Sequence, residues 1–164
     1  MVRSATTHDF EGLERFCEPG HSVLDTPFCL GGWLIATNGS ILVALKTELP
    51  NDPGATTKMK RKILETITYA TRDLASSQLE LWPSHITVHD VNKVLCKGEY
   101  SPQCVTELCG TRVQSRYLFM LQTLSPNGCC ESKGALLVGI PGGIAAVMQI
   151  APKDANETAF VDRN

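Results

Sequence analysis

Two apolar stretches, each broken by a turn, dominate the hydrophobic pattern of the chain. Residues 32–45 are apolar on either side of Asn38-Gly39, and residues 134–150 repeat the arrangement around Pro141-Gly142-Gly143. β-rich runs joined by residues that tolerate positive φ fold back as hairpins. Each hairpin follows a segment with helical spacing. Phe10, Leu13, Phe16 and Cys17 recur at helical steps in residues 8–17, as do Tyr117, Leu118, Leu121 and Leu124 in residues 115–124. The chain therefore reads as two helix-then-hairpin units. Gly32 and Leu34 match Gly134 and Leu136; after a one-residue slip, Gly39 and Ile41 match Gly142 and Ile144, which suggests a duplicated unit.

Between the units, residues 50–54 hold two prolines and a glycine and mark a loop. Met59, Ile63, Ile67, Ala70 and Leu74 give residues 57–75 one apolar stripe, which predicts a surface helix. Residues 78–88 alternate and predict a strand. Residues 93–111 lack periodicity and read as a loop. These elements predict an α+β fold with two helices on one side of an antiparallel sheet. The expected domain is 1–152, with a middle insertion at about 53–112 and a flexible tail at 153–164.

At 164 residues and 43% hydrophobic content the chain suits one domain. Fifteen Lys and Arg against seventeen Asp and Glu leave a net charge of −2, so no global attraction to nucleic acid or anionic membrane is expected, and any basic surface is local. No leader pattern and no membrane-length apolar run is visible, so the expectation is a cytoplasmic protein with no membrane partner. The seven cysteines are odd in number and are read as reduced. Cys96, Cys104 and Cys109 cluster near His85 and His89, and zinc takes such ligands, usually in pairs two to four residues apart. Only Cys104 and Cys109 approach that spacing, so ordinary loop cysteines are the competing reading. Cys17 and His21 lack a visible orienting third group. With no catalytic signature, a non-enzymatic protein is expected.

Residues 15–45, with Ala36-Thr37-Asn38-Gly39 at their centre, resemble the bacterial DNA polymerase III beta subunit, the sliding clamp, whose domains carry A-T-D-G-H-R-L-A in this setting. Residues 115–150 resemble the closing part of a clamp domain, ending here in Val147-Met148-Gln149-Ile150 where clamps read near V-M-P-M. Single-domain phage and prophage proteins with C-x-x-C-x-G knuckles are closer still, and Cys96-Lys97-Gly98 and Cys109-Gly110 look like knuckles lacking a partner cysteine. Asn38 stands for the Asp, and Ser40-Ile41 for the His-Arg pair.

The resemblance implies a DNA-clamp-like domain serving DNA replication. Clamps hold duplex through basic helices, so Lys58, Lys60, Arg61, Lys62 and Arg72 become candidate phosphate contacts, against the plainer reading of a solvated helix face. It further implies replication proteins as partners, or self-association through sheet edges. A zinc-stabilised binding module built on Cys96, Cys104 and Cys109 is the alternative. Gln78-Leu79-Glu80-Leu81-Trp82 resembles the Q-L-x-L-F peptide that docks on clamps, although alternation favours a core strand.

Overall fold

The computed structural model describes residues 4–6, 9–21, 23–53, 57–96 and 99–150, with backbone alone over 90–96 and 99–103. The expected tail at 153–164 lies outside the described residues. Two triplets of strands, β1 (Phe28–Leu30), β2 (Trp33–Thr37), β3 (Ile41–Lys46) and β7 (Gly128–Ser132), β8 (Ala135–Ile140), β9 (Gly143–Met148), form one antiparallel sheet. Its order is β1-β2-β3-β9-β8-β7. Each triplet follows a short helix, α1 (Asp9–Leu13, extended by a 3-10 turn at Glu14–Phe16) or α3 (Ser115–Gln122). Between them come α2 (Lys58–Ser76) and a second sheet of β4 (His89–Cys96), β5 (Glu99–Leu108) and β6 (Thr111–Gln114). The domain is α+β with mostly antiparallel sheet.

The large sheet is covered on both faces, which is why its strands read as unbroken apolar runs instead of alternating ones. On one face Leu13, Phe16, Tyr117, Leu118 and Leu121 of the paired helices pack on Leu34, Val43, Leu136, Val138 and Val147. On the other, Ile67 and Ala70 of α2 pack on Phe28, Ile35, Ala44, Leu137 and Ile144. Successive strand residues serve opposite cores because side chains alternate along a strand. The α2 helix starts where Thr57 accepts the Lys60 N–H at 3.2 Å, an ordinary N-cap.

Both triplets begin with the same turn. Gly31-Gly32 joins β1 to β2 and Lys133-Gly134 joins β7 to β8, with positive φ at all four residues, as a two-residue hairpin matching strand twist requires. The duplicated-unit expectation holds at this turn, where Leu34 and Leu136 both enter the helix-pair core. It fails at the second turn: Ile41 faces the helix pair and Ile144 faces α2. A one-residue slip in a strand reverses every side chain.

Two other expectations change. Residues 78–88 form no strand apart from an isolated bridge at Glu80, with Leu81 86% exposed. Residues 93–111 are mostly strand. Pro102, which argued for a loop, falls at the register shift between β4 and β5 and beyond the stretch paired with β6, so no ladder bond needs its missing N–H.

Both edges of the large sheet are occupied. Along β1, Asp52 accepts the Cys29 N–H at 2.9 Å and returns its own N–H to the Cys29 carbonyl, while Asn51 accepts the Gly31 N–H at 2.8 Å. Along β7, Glu80 and Cys129 exchange two backbone bonds of 2.9 Å. These contacts blunt the edges that strand-to-strand self-association would use.

The two triplets meet at β3 and β9, where Gly143 lies so close to its neighbour that an added Cβ would sit 2.0 Å from the Ala44 carbonyl oxygen. Gly143→Ala is expected to destabilise by about 2–3 kcal/mol through forced separation of the strands. Gly12→Ala, in open space on α1, should be neutral or stabilising. Urea unfolding of both variants checks the contrast.

Candidate functional site

The 19 residues of α2 carry the cations. Lys58, Arg61, Lys62 and Arg72 are exposed, and their three-, four- and seven-residue separations from Glu65 and Tyr69 put them on the outward half of the helix. The stripe from Lys58 to Arg72 is about 21 Å long at 1.5 Å per residue. Lys60 departs from it. Its Nζ lies 4.5 Å from the centroid of the Phe28 ring, turned inward over the sheet, so it belongs to packing.

Tyr69, 48% exposed, gathers charge from two elements. The Lys133 Nζ from the β7–β8 turn sits 3.5 Å from its ring centroid and the Arg72 guanidinium 4.8 Å. Sequence reasoning missed Lys133, because only the turn's placement against α2 brings it there. Asp73 partly offsets Arg72 at 3.8 Å and accepts the Ser132 hydroxyl at 2.6 Å, fastening the turn to the helix. The resulting surface is a basic strip with an aromatic ring in it. Clefts of about 560 Å³, bounded by Trp33, Lys46 and Leu74, and about 320 Å³, bounded by Leu24, Met59 and Met148, flank α2 on the sheet side.

The cysteine trio is not assembled. Cys96 pairs with Glu99 and Cys104 with Asp90, so Cys104 lies five β5 positions from Glu99, roughly 17 Å along the hairpin. Ligands of one zinc ion, each about 2.3 Å from it, lie far closer together. Among the described residues no group of three or more His, Cys, Asp or Glu is placed to hold a metal. The Cys96 side chain lies outside the described residues. Cys109 instead meets a partner the sequence did not suggest: its Sγ is 3.2 Å from Sγ of Cys129 on β7.

The remaining motifs resolve into structure. His21 Nδ1 accepts the N–H groups of Val23 and Leu24, both at 3.0 Å, and so caps a turn. Asn38 Oδ1 accepts the N–H of Ser40 and of Ile41, while its Nδ2 donates to the Tyr117 hydroxyl at 3.2 Å. The amide thus closes the first hairpin and ties it to α3, and an Asp would lack that donor. In 78–82, Glu80 bridges β7 and Trp82 packs against the helix-pair core.

No protein-family model matches this chain, and comparison with curated proteins and with solved structures found no match either. No helix among the described residues is long and apolar enough to cross a membrane.

Burial, first among the causes, pushes the thiols of Cys17, Cys29, Cys109, Cys129 and Cys130 above the ordinary range. At Cys109, hydrogen bonding to Glu80 and Cys129 pushes the same way. Because the folded state holds these protons after the unfolded chain releases them near pH 8.5 to 9, their contribution to stability is intact below that range and is lost as pH rises. The melting temperature under reducing conditions should fall between pH 8 and pH 10, and the fall should be smaller in Cys109→Ala.

Proposed function

We propose that this chain is a non-enzymatic accessory domain of DNA metabolism that holds the phosphate backbone of duplex DNA against the outward face of α2. The observation that carries the reading is the row of Lys58, Arg61, Lys62 and Arg72 along the outward face of α2, joined at Tyr69 by Lys133 from the β7–β8 turn, on a chain whose net charge is −2. Cations concentrated on one face of an otherwise acidic protein form the electrostatic footprint of a backbone binder. A strip of about 21 Å spans about six base-pair steps of duplex at 3.4 Å of axial rise each and can meet the phosphates that face it. Such contacts neutralise charge without reading bases, as suits a protein that must not stop at one sequence.

A clamp-like architecture is part of the proposal. It is supported by two helix-plus-three-strand units merging in one antiparallel sheet with both short helices on one face. The charge distribution supports α2, and not the helix pair, as the side toward DNA: Glu11 and Glu14 are exposed on the first short helical segment, with Arg15 beside them. Occupied edges on β1 and β7 support a domain that acts with a partner protein over a ring closed by strand pairing.

The test is duplex binding measured against salt. For wild-type protein, log Kd should vary steeply with log salt, and the Lys58→Ala/Arg61→Ala/Lys62→Ala variant should lower the slope by about 2 to 3 on any sequence. Lys60→Ala, at the inward cation, should leave the slope unchanged. Wild-type protein that fails to bind at low salt, or equal slopes for wild type and the triple variant, would overturn the reading.

A further inference from the structure

We propose that Cys109 and Cys129 form a redox couple that closes into a reversible disulfide and locks the small sheet to the large one. The inference is independent of nucleic-acid binding. Cys109 lies in the turn between β5 and β6, and Cys129 lies in β7. Their sulfur atoms are 3.2 Å apart, so forming a bond of about 2.05 Å needs an approach of about 1.2 Å. The turn that delivers Cys109 is held in place by its own backbone, with left-handed φ at both Cys109 and Gly110. Cys109 is half-buried and Cys129 fully buried, which makes Cys109 the thiol that meets an oxidant from solution.

The oxidant class is a small-molecule disulfide such as glutathione disulfide. The Cys109 thiol, which burial holds protonated at rest, first gives its proton to solvent. The minor thiolate so formed attacks one sulfur of the glutathione disulfide, and one glutathione leaves as thiolate and takes a proton from water. The Cys129 thiol then releases its proton to solvent and attacks the Cys109 sulfur of the mixed disulfide, expelling the second glutathione. Two S–H bonds are broken and one S–S bond is formed in the protein. The two electrons and two protons appear in two molecules of glutathione.

The consequence follows from what each residue touches. Cys129 exchanges two backbone hydrogen bonds with Glu80, in the segment that leaves α2, and its thiol also points at the Glu80 carbonyl, 3.8 Å away. Cys109 directly follows β5, the strand that pairs with β4. A bond between them joins β7, the segment after α2 and the β5–β6 turn at one point. The closed loop holds β6 and α3, so the bond also ties down one of the two short helical segments on that face of the large sheet.

Reduced native protein incubated with glutathione disulfide at pH 8 and mapped by non-reducing peptide mass spectrometry should yield one intramolecular crosslink, Cys109 to Cys129, with loss of two hydrogens. The melting temperature should rise by about 5–10 °C and return after dithiothreitol. Cys129→Ser should stop at a glutathione adduct on Cys109, and Cys109→Ser should form no crosslink at Cys129. Because the wild-type map alone decides the pairing, failure of either variant to fold leaves the test intact. Absence of a crosslink in the wild-type protein, or pairing of either cysteine with any other, would overturn the proposal.

Discussion

The pairing of β3 with β9 is the constraint on which the rest of the structure depends. It brings Ile41–Leu45 against Gly143–Val147, a closure over roughly 100 residues whose entropy cost must be met before either half gains a complete core. Without it each triplet of strands would expose one long unpaired edge, and neither short helix would have a full sheet to cover. With it, the two triplets become one six-stranded surface, and side chains of both halves interleave in both cores. The close approach at Gly143 shows how little room this seam has.

Covering both faces of that sheet divides the molecule's chemistry. The helix-pair side is tied across the halves by polar contacts, Arg15 donating to the Thr123 hydroxyl and Asn38 to Tyr117. The α2 side has one long helix lying over the middle of the sheet, with clefts at both ends and its polar half free to carry charge. Burial needs only a narrow stripe of α2, chiefly Ile67 and Ala70 with Ile63, Leu64 and Leu74 at its margins. The remaining positions are open to cations without cost to the core. Tyr69 then extends that surface onto the β7–β8 turn.

The segments joining α2 to its neighbours also finish the sheet. The Asn51-Asp52 loop before the helix and Glu80 after it satisfy outward-facing backbone groups of β1 and β7. An edge left bare would present unpaired N–H and C=O groups to any other chain. The same arrangement brings Cys129 beside Glu80 and the β5–β6 turn, so the meeting point of the two sheets is also where the two thiols touch.

The hydrophobic pattern by itself determined the two hairpins, the three helices and the α+β class, because runs such as Ile41–Leu45 and the stripe Ile63, Ile67, Ala70 and Leu74 encode burial locally. The cations of α2 were equally legible, since helical spacing states which residues share a face; that Lys60 turns inward depended on where Phe28 came to lie. Tertiary structure alone decided the rest. The small sheet was invisible because its stability comes from pairing between strands whose own sequence, Pro102 included, has no strand periodicity. The alternation at 78–82 was misleading because the segment meets the β7 edge only through Glu80, which leaves Leu79 partly and Leu81 almost wholly exposed instead of inside a sheet. Cys109 looked like one of three clustered loop thiols, since separation along the chain says nothing about the extended hairpin that holds Cys96 and Cys104 apart or the turn that carries Cys109 to Cys129. Contacts between residues distant in sequence depend on strand order and register, and those are properties of the assembled sheet.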